Sequence, residues 1–197
     1  FDAMRRREVY ATTGTRIGLR FFGGWDFSAA DLENPHVARI GYRRGVPMGG
    51  ELETAKGKAP GFMVIAIKDP HGANLDRVQI VKGWLDSTGA VQEKVYDVAV
   101  SDERRIGNNG RVAPVKSTVD IATASYRNSV GSAQLSAYWQ DPEFDPGERA
   151  FYYARVIEIP TPRWTTYDAV RLGSTLHERD PKIVQDRAYS SPIWYSP

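Results

Sequence analysis

Residues 62–100 read FMVIAIKDPHGANLDRVQIVKGWLDSTGAVQEKVYDVAV, and the architecture turns on this segment. Its first six residues, Phe62-Met63-Val64-Ile65-Ala66-Ile67, are all apolar. A run of that length without polar alternation suits a central strand covered on both faces. Asp69-Pro70-His71-Gly72 then reads as a turn, proline presetting its own φ and glycine supplying a positive one. Residues 75–84 follow, with the β-branched side chains of Val78, Ile80 and Val81. Ser87-Thr88-Gly89 turns that run into residues 91–100, and so short a connection makes the two runs an antiparallel hairpin.

Toward the N-terminus, residues 16–22 alternate. Ile17, Leu19 and Phe21 fall on one face, Arg16, Gly18 and Arg20 on the other, the mark of a half-buried strand. Gly23-Gly24 is expected to break it. Ser28 is placed to cap one helical turn over 28–32, and residues 45–50, with Pro47, read as a loop. Residues 9–14 are β-prone and end in a glycine turn.

Toward the C-terminus, residues 101–117 are charged and then run through Asn108-Asn109-Gly110. They read as a long loop with little to bury, the first target for a protease. Strands are expected again at 118–125, 133–140 and 151–159, with Pro160-Thr161-Pro162 closing the series. Residues 165–172 suit a short helix stopped by Gly173. Residues 189–195 are strand-like, and Pro192 points to a sheet edge. Short strands separated by turn residues, with only short helices, predict a mostly β chain: an antiparallel β-sandwich with short helices and long loops.

The chain has 197 residues and a mass of 22.0 kDa, enough to bury a core of its own; a globular protein of that mass exposes about 9,000 Å². Twenty-six basic against 24 acidic side chains leave a net charge of +2, so bulk charge offers no case for nucleic acid. The longest apolar run is far too short to span a bilayer. With no cysteine, thiol catalysis, disulfides and thiolate metal sites are excluded together, and either redox compartment is compatible. No charged leader with an apolar segment opens the chain. Phe1-Asp2-Ala3-Met4-Arg5-Arg6-Arg7-Glu8 reads as the last turns of a helix. Residues 1–13 are therefore expected to be a helix end and linker from an upstream catalytic domain, and residues 14–197 a C-terminal β-sandwich domain.

Few residues suggest chemistry. His36, His71 and His177 lie far apart among polar and turn residues, without the short spacing of a zinc site. There is no G-x-S-x-G elbow and no S-x-x-K. The Gly23-Gly24 and Gly49-Gly50 pairs match no phosphate-binding loop. Asp69, Asn74 and Asp76 supply oxygens within eight residues, but without the spacing of a calcium loop; a turn explains them better. The tryptophans Trp25, Trp84, Trp139, Trp164 and Trp194 offer either core or sugar-stacking platforms. Pro160-Thr161-Pro162-Arg163-Trp164-Thr165-Thr166-Tyr167 differs in kind. It gathers a guanidinium, an indole, hydroxyls and a phenol on a stiff loop at a strand end, where binding groups are often displayed.

These residues carry a family resemblance. Arg7-Glu8-Val9-Tyr10-Ala11-Thr12-Thr13-Gly14, Phe21-Phe22-Gly23-Gly24-Trp25-Asp26-Phe27, Gly45-Val46-Pro47-Met48-Gly49-Gly50, "ANLDRVQIVKGWLD" at 73–86, "EIPTPRWTTYDA" at 158–169 and "AYSSPIWY" at 188–195 occur in order over nearly the whole chain. The chain resembles the C-terminal region of the DUF3604 family, long bacterial proteins of uncharacterised function. The resemblance implies kinship with PHP-type, carbaryl-hydrolase-like metallohydrolases. In those, an upstream GDLHxHT-like motif and further His and Asp ligands hold a metal cluster that hydrolyses a phosphate, carbamate or other ester. None of those ligand motifs occurs here.

By that analogy the chain is expected to be a non-catalytic accessory β-sandwich that packs on the metal-bearing domain and lines its active site. No catalytic residue, metal ligand or cofactor is assigned within it, and the divalent metal belongs to the upstream domain, its expected partner. The candidate substrate or interface residues are Tyr10, Thr12 and Thr13 at the domain junction, with Arg163, Trp164 and Tyr167 on the strand-end loop. The alternative is an independent carbohydrate- or surface-binding module that uses the tryptophans.

Overall fold

The apolar run at 62–67 lies between two partner strands, as its composition requires. A computed structural model describes residues 1–53 and 57–197. In chain order its elements are α1 (Asp2–Arg5), β1 (Tyr10–Thr12), β2 (Gly18–Gly24), a 3₁₀ turn (Ala29–Glu33), α2 (Val37–Arg44), β3 (Val46–Pro47), β4 (Glu51–Leu52) and β5 (Gly61–Ile67). The longest strands follow, β6 (Leu75–Leu85) and β7 (Val91–Val100), then β8 (Gln134–Gln140), β9 (Ala150–Glu158) and β10 (Thr161–Pro162). The chain closes with α3 (Trp164–Leu172), β11 (Ile183–Val184), β12 (Arg187–Ser190) and β13 (Ile193–Tyr195).

The smaller main sheet has the order β3-β2-β5-β8 and is antiparallel throughout. The larger one centres on β9. One edge of β9 pairs along its length with β6, which continues to β7, while the other edge pairs first with β13 and then with β12. Its neighbours are antiparallel, and the outer β13–β4 pair is parallel. The two sheets enclose one core: Leu19, Phe21, Phe62 and Val64 from one meet Val78, Ile80, Tyr152, Val156 and Ile193 from the other. The Phe62 and Tyr152 rings lie 4.4 Å apart across the interface. The fold is thus the expected mostly β sandwich with short helices, and the 75–100 hairpin is present with its turn closed by Gly89 at φ 81°.

Several local expectations are corrected. Gly23 and Gly24 do not break β2 ahead of themselves but are its last two paired residues, opposite Phe62 and Gly61. A Cβ on Gly24 would sit 2.9 Å from the Phe27 ring, so the glycine serves close packing. The run 28–45 holds more helix than foreseen. The Ser28–Asp31 capping box closes the 3₁₀ turn, and α2 then lays Val37 and Ile40 on the outer face of β2 and β5 against Phe22 and Met63. That helix covers the second face of the apolar run only at Met63; further along, Ile65 is partly buried and Ile67 exposed, so the run is covered on both faces only in its first half.

Residues 118–125 form no strand, only a tight turn bridged between Asp120 and Ser125. Pro160-Thr161-Pro162 does not close the strand series, because β10 pairs with β11 beyond it. Pro192 marks no edge: it sits in the kink between β12 and β13, both flanked by partners, and its carbonyl accepts from Gly49 N at 3.0 Å. Gly72 closes its turn through Gly72 N to Asp69 O at 2.9 Å without a positive φ. The long loop after β7 is anchored. Arg104 reaches back to the Asp76 carboxylate and donates to Ala113 O at 2.8 Å, and Val115 is buried. The exposed area, 11417 Å², exceeds the about 9,000 Å² typical of this mass, as such excursions require.

Candidate functional site

A strand that runs apolar into a core ends on its last residue with whatever the sequence places there, and β9 ends on Glu158. The backbone of Glu158 is satisfied: its N–H donates to Asp186 O at 2.9 Å and its carbonyl accepts from Gln185 Nε2 at 2.8 Å. Its side chain is not. The residue is fully buried, and among the described residues neither carboxylate oxygen has a hydrogen-bond partner of normal geometry. Thr15 Oγ1 beside it likewise completes no hydrogen bond of normal geometry. Burial pushes the Glu158 carboxyl up to about 7, and the Asp186 and Asp69 charges add to the rise; the Thr15 hydroxyl and Lys68 work against it.

Three segments converge over this carboxyl. From the first, the turn after β5, Lys68 Nζ is committed to the carbonyls of Asp69 at 2.8 Å and Gly72 at 2.9 Å. Asp69 accepts from Arg16 N at 2.8 Å and His71 N at 2.9 Å, and these amides hold its carboxyl below the usual range. These bonds, with Asn74 Nδ2 donating to Val130 O at 2.9 Å, hold the segment as a hydrogen-bonded turn.

The second segment is the end of β1. Thr13 Oγ1 donates to Asp186 Oδ1 at 2.6 Å and accepts from Arg187 N at 3.0 Å, which ties β1 to the approach of β12. The third is the start of α3. Pro160 and Pro162 stiffen its entry, Arg163 is the N-cap, and Thr166 N donates to Arg163 O at 2.8 Å. Gly173, at φ 64°, stops the helix as its C-cap. The Arg163 guanidinium lies 5.7 Å from the Trp164 ring centre and, among the described residues, pairs with no carboxylate.

Together these segments shape an open cleft of about 470 Å³ with Glu158 in its wall and Thr13, Arg163, Trp164 and Tyr167 around it. Four of the six sequence candidates therefore meet at one place. Tyr10 does not join them: it lines a separate groove of about 390 Å³ with Glu8, Arg20, Tyr42 and Ile67. Thr12 is half-buried in the β1–β12 pairing, opposite Ala188. Glu158 and Asp186 were not singled out from sequence, although a carboxylate between Ile157 and Ile159 at the end of an apolar run is a readable signal.

Of the tryptophans, Trp25 and Trp139 pack against the core. Trp84 and Trp194 flank another cleft beside Phe151, and only Trp164 stands at the Glu158 cleft. His36, His71 and His177 are exposed. Among the described residues no group of three His, Asp or Glu side chains is placed to hold a metal ion.

The fold and the cleft define a mostly β sandwich with a polar, aromatic-rimmed cleft at the end of the central strand of its larger sheet. The family model described as "Protein of unknown function (DUF3604)" matches residues 1–197, and the chain belongs to that family. No curated protein and no solved structure matches it. No helix among the described residues is long and apolar enough to cross a membrane.

Proposed function

We propose that this chain is the non-catalytic β-sandwich of a PHP-like metal-dependent hydrolase, docked on the metal-bearing domain with the Glu158 cleft facing the active site. The observation that carries this reading is the meeting of Thr13, Arg163, Trp164 and Tyr167 on one open cleft. Thr13 follows directly on β1, the strand nearest the expected domain junction, and in this reading the cleft lies beside that junction. Arg163 supports a substrate-facing role: it has a charged fork free to receive an anionic group, which lysine would not match in geometry. The divalent metal and the hydrolytic step belong to the partner domain in this reading; the present chain would bind and orient.

The test is Arg163→Ala in the full-length protein that carries this chain. Ester hydrolysis is expected to fall about tenfold or more, the loss of one charge-assisted hydrogen bond. The melting temperature is expected to hold, because the guanidinium makes no ion pair among the described residues. A proportionate loss of activity and stability would overturn the substrate-facing role.

A further inference from the structure

A carboxylate that is fully buried and, among the described residues, accepts no hydrogen bond of normal geometry is short of a counter-charge. Lys68 lends Glu158 a favourable charge, but among the described residues no cation forms an ion pair with it. Lys68 spends its ammonium on backbone carbonyls, and Arg163 lies over Trp164. Asp69 and Asp186 add negative charge, His71 is exposed at the rim, and Gln185 Nε2 donates to the Glu158 carbonyl rather than to its side chain. The same cleft is lined by three aromatic side chains, Tyr126, Trp164 and Tyr167. Aromatic faces beside a carboxylate attract a protonated nitrogen, since the ring quadrupole and the charge act with the same sign.

We propose that the Glu158 cleft binds the ammonium group of a small-molecule ligand, held by the Glu158 carboxylate among Tyr126, Trp164 and Tyr167. The proposal rests on the reading of this cleft as the substrate-facing side of the domain, and gives that substrate a cationic nitrogen. Gly72 brings its turn against the carboxylate: a Cβ there would lie 2.9 Å from Asp69 Cβ and 3.5 Å from Glu158 Oε1.

The test titrates the chain with benzylamine and, separately, with benzyl alcohol, its neutral counterpart, following tryptophan fluorescence. Benzylamine is expected to give a saturable change and benzyl alcohol none. Binding requires Glu158 ionised and benzylamine stays protonated throughout, so affinity should rise about tenfold from pH 6 to pH 8, following a carboxyl that titrates near 7. Glu158→Gln should abolish both the response and its pH dependence. No saturable response to benzylamine, equal binding of the alcohol, or unchanged amine affinity in E158Q overturns the proposal. Should E158Q not fold, the amine–alcohol comparison and the pH profile of the unaltered chain decide alone. Loss of hydrolysis in Arg163→Ala together with no amine binding would leave the domain's role standing and remove only the ammonium ligand.

Discussion

Among single residues, Glu158 is where the chain departs from ordinary folding logic, because an acid buried without a donor costs stability. The sign follows from linkage. The folded carboxyl titrates near 7, above its ordinary value of 4.5, so between those values the folded state holds more protons than the unfolded one. Stability therefore falls as pH rises through that window. The expected size is about 3 kcal/mol, fully present above pH 7 and absent below about 4.5. Glu158→Gln removes the titration, so urea unfolding should show the variant gaining about 3 kcal/mol on the unaltered chain between pH 4 and pH 8. A constant difference across that range would mean that Glu158 is paired. Arg163, Trp164 and Tyr167 were legible because a guanidinium and aromatics stand together between prolines and a helix. Glu158 was passed over, because an acid between two isoleucines, though a signal, also fits a solvent-facing strand position until the strand's end is seen to be covered. Thr12 and Thr13 are adjacent in sequence, yet only register decides which of them faces the sheet and which the cleft.

Among the helices and strands, those with pure patterns were readable and the pieces held by long-range contacts were not. The run 62–67 and the 75–100 hairpin follow from apolar length and turn chemistry alone. Helix α2 escaped because Val37-Ala38-Arg39-Ile40-Gly41-Tyr42-Arg43-Arg44 carries a glycine in its middle, and only Val37 and Ile40 mark its inner face. That glycine has a steric reason. A Cβ on Gly41 would lie 2.6 Å from the buried Phe22 ring, so the helix can approach β2 only without a side chain there. The ordinary rule, that Gly→Ala inside a helix stabilises by about 1 kcal/mol, should therefore reverse. Gly41→Ala is expected to destabilise the chain by about 1–3 kcal/mol through overpacking, measured by urea unfolding. A gain in stability would mean that α2 stands further from the sheet than the Phe22 contact allows. The β12–β13 kink at Pro192 was likewise beyond local reading, since both halves are flanked by strands distant in sequence.

For the molecule as a unit, the sandwich class was legible from strand count and spacing, but what joins the two sheets beyond apolar contact was not. Lys82 on β6 and Asp141 just after β8 meet at 2.7 Å, both almost wholly buried, and so tie the larger sheet to the smaller one. Tyr152 of β9 donates to the same Asp141 oxygen at 2.7 Å, and burial with that carboxylate raises its phenol. Lys82 also donates to Glu143 O at 2.8 Å and lies 5.0 Å from the Trp84 ring centre. In sequence the two are 59 positions apart (141 less 82) with nothing to announce the pair. Such a pair contributes little net stability relative to neutral groups of similar shape, yet breaking it from one side strands a buried charge. Lys82→Met and Asp141→Asn should each cost about 3–5 kcal/mol. The double variant should cost less than either, because the side-chain amide introduced by Asp141→Asn would still accept from Tyr152 and no charge would be left unpaired. A double-mutant cycle by urea unfolding measures the coupling. Additive losses would mean that the sheets are held by their apolar core alone, with the ion pair a bystander at its end.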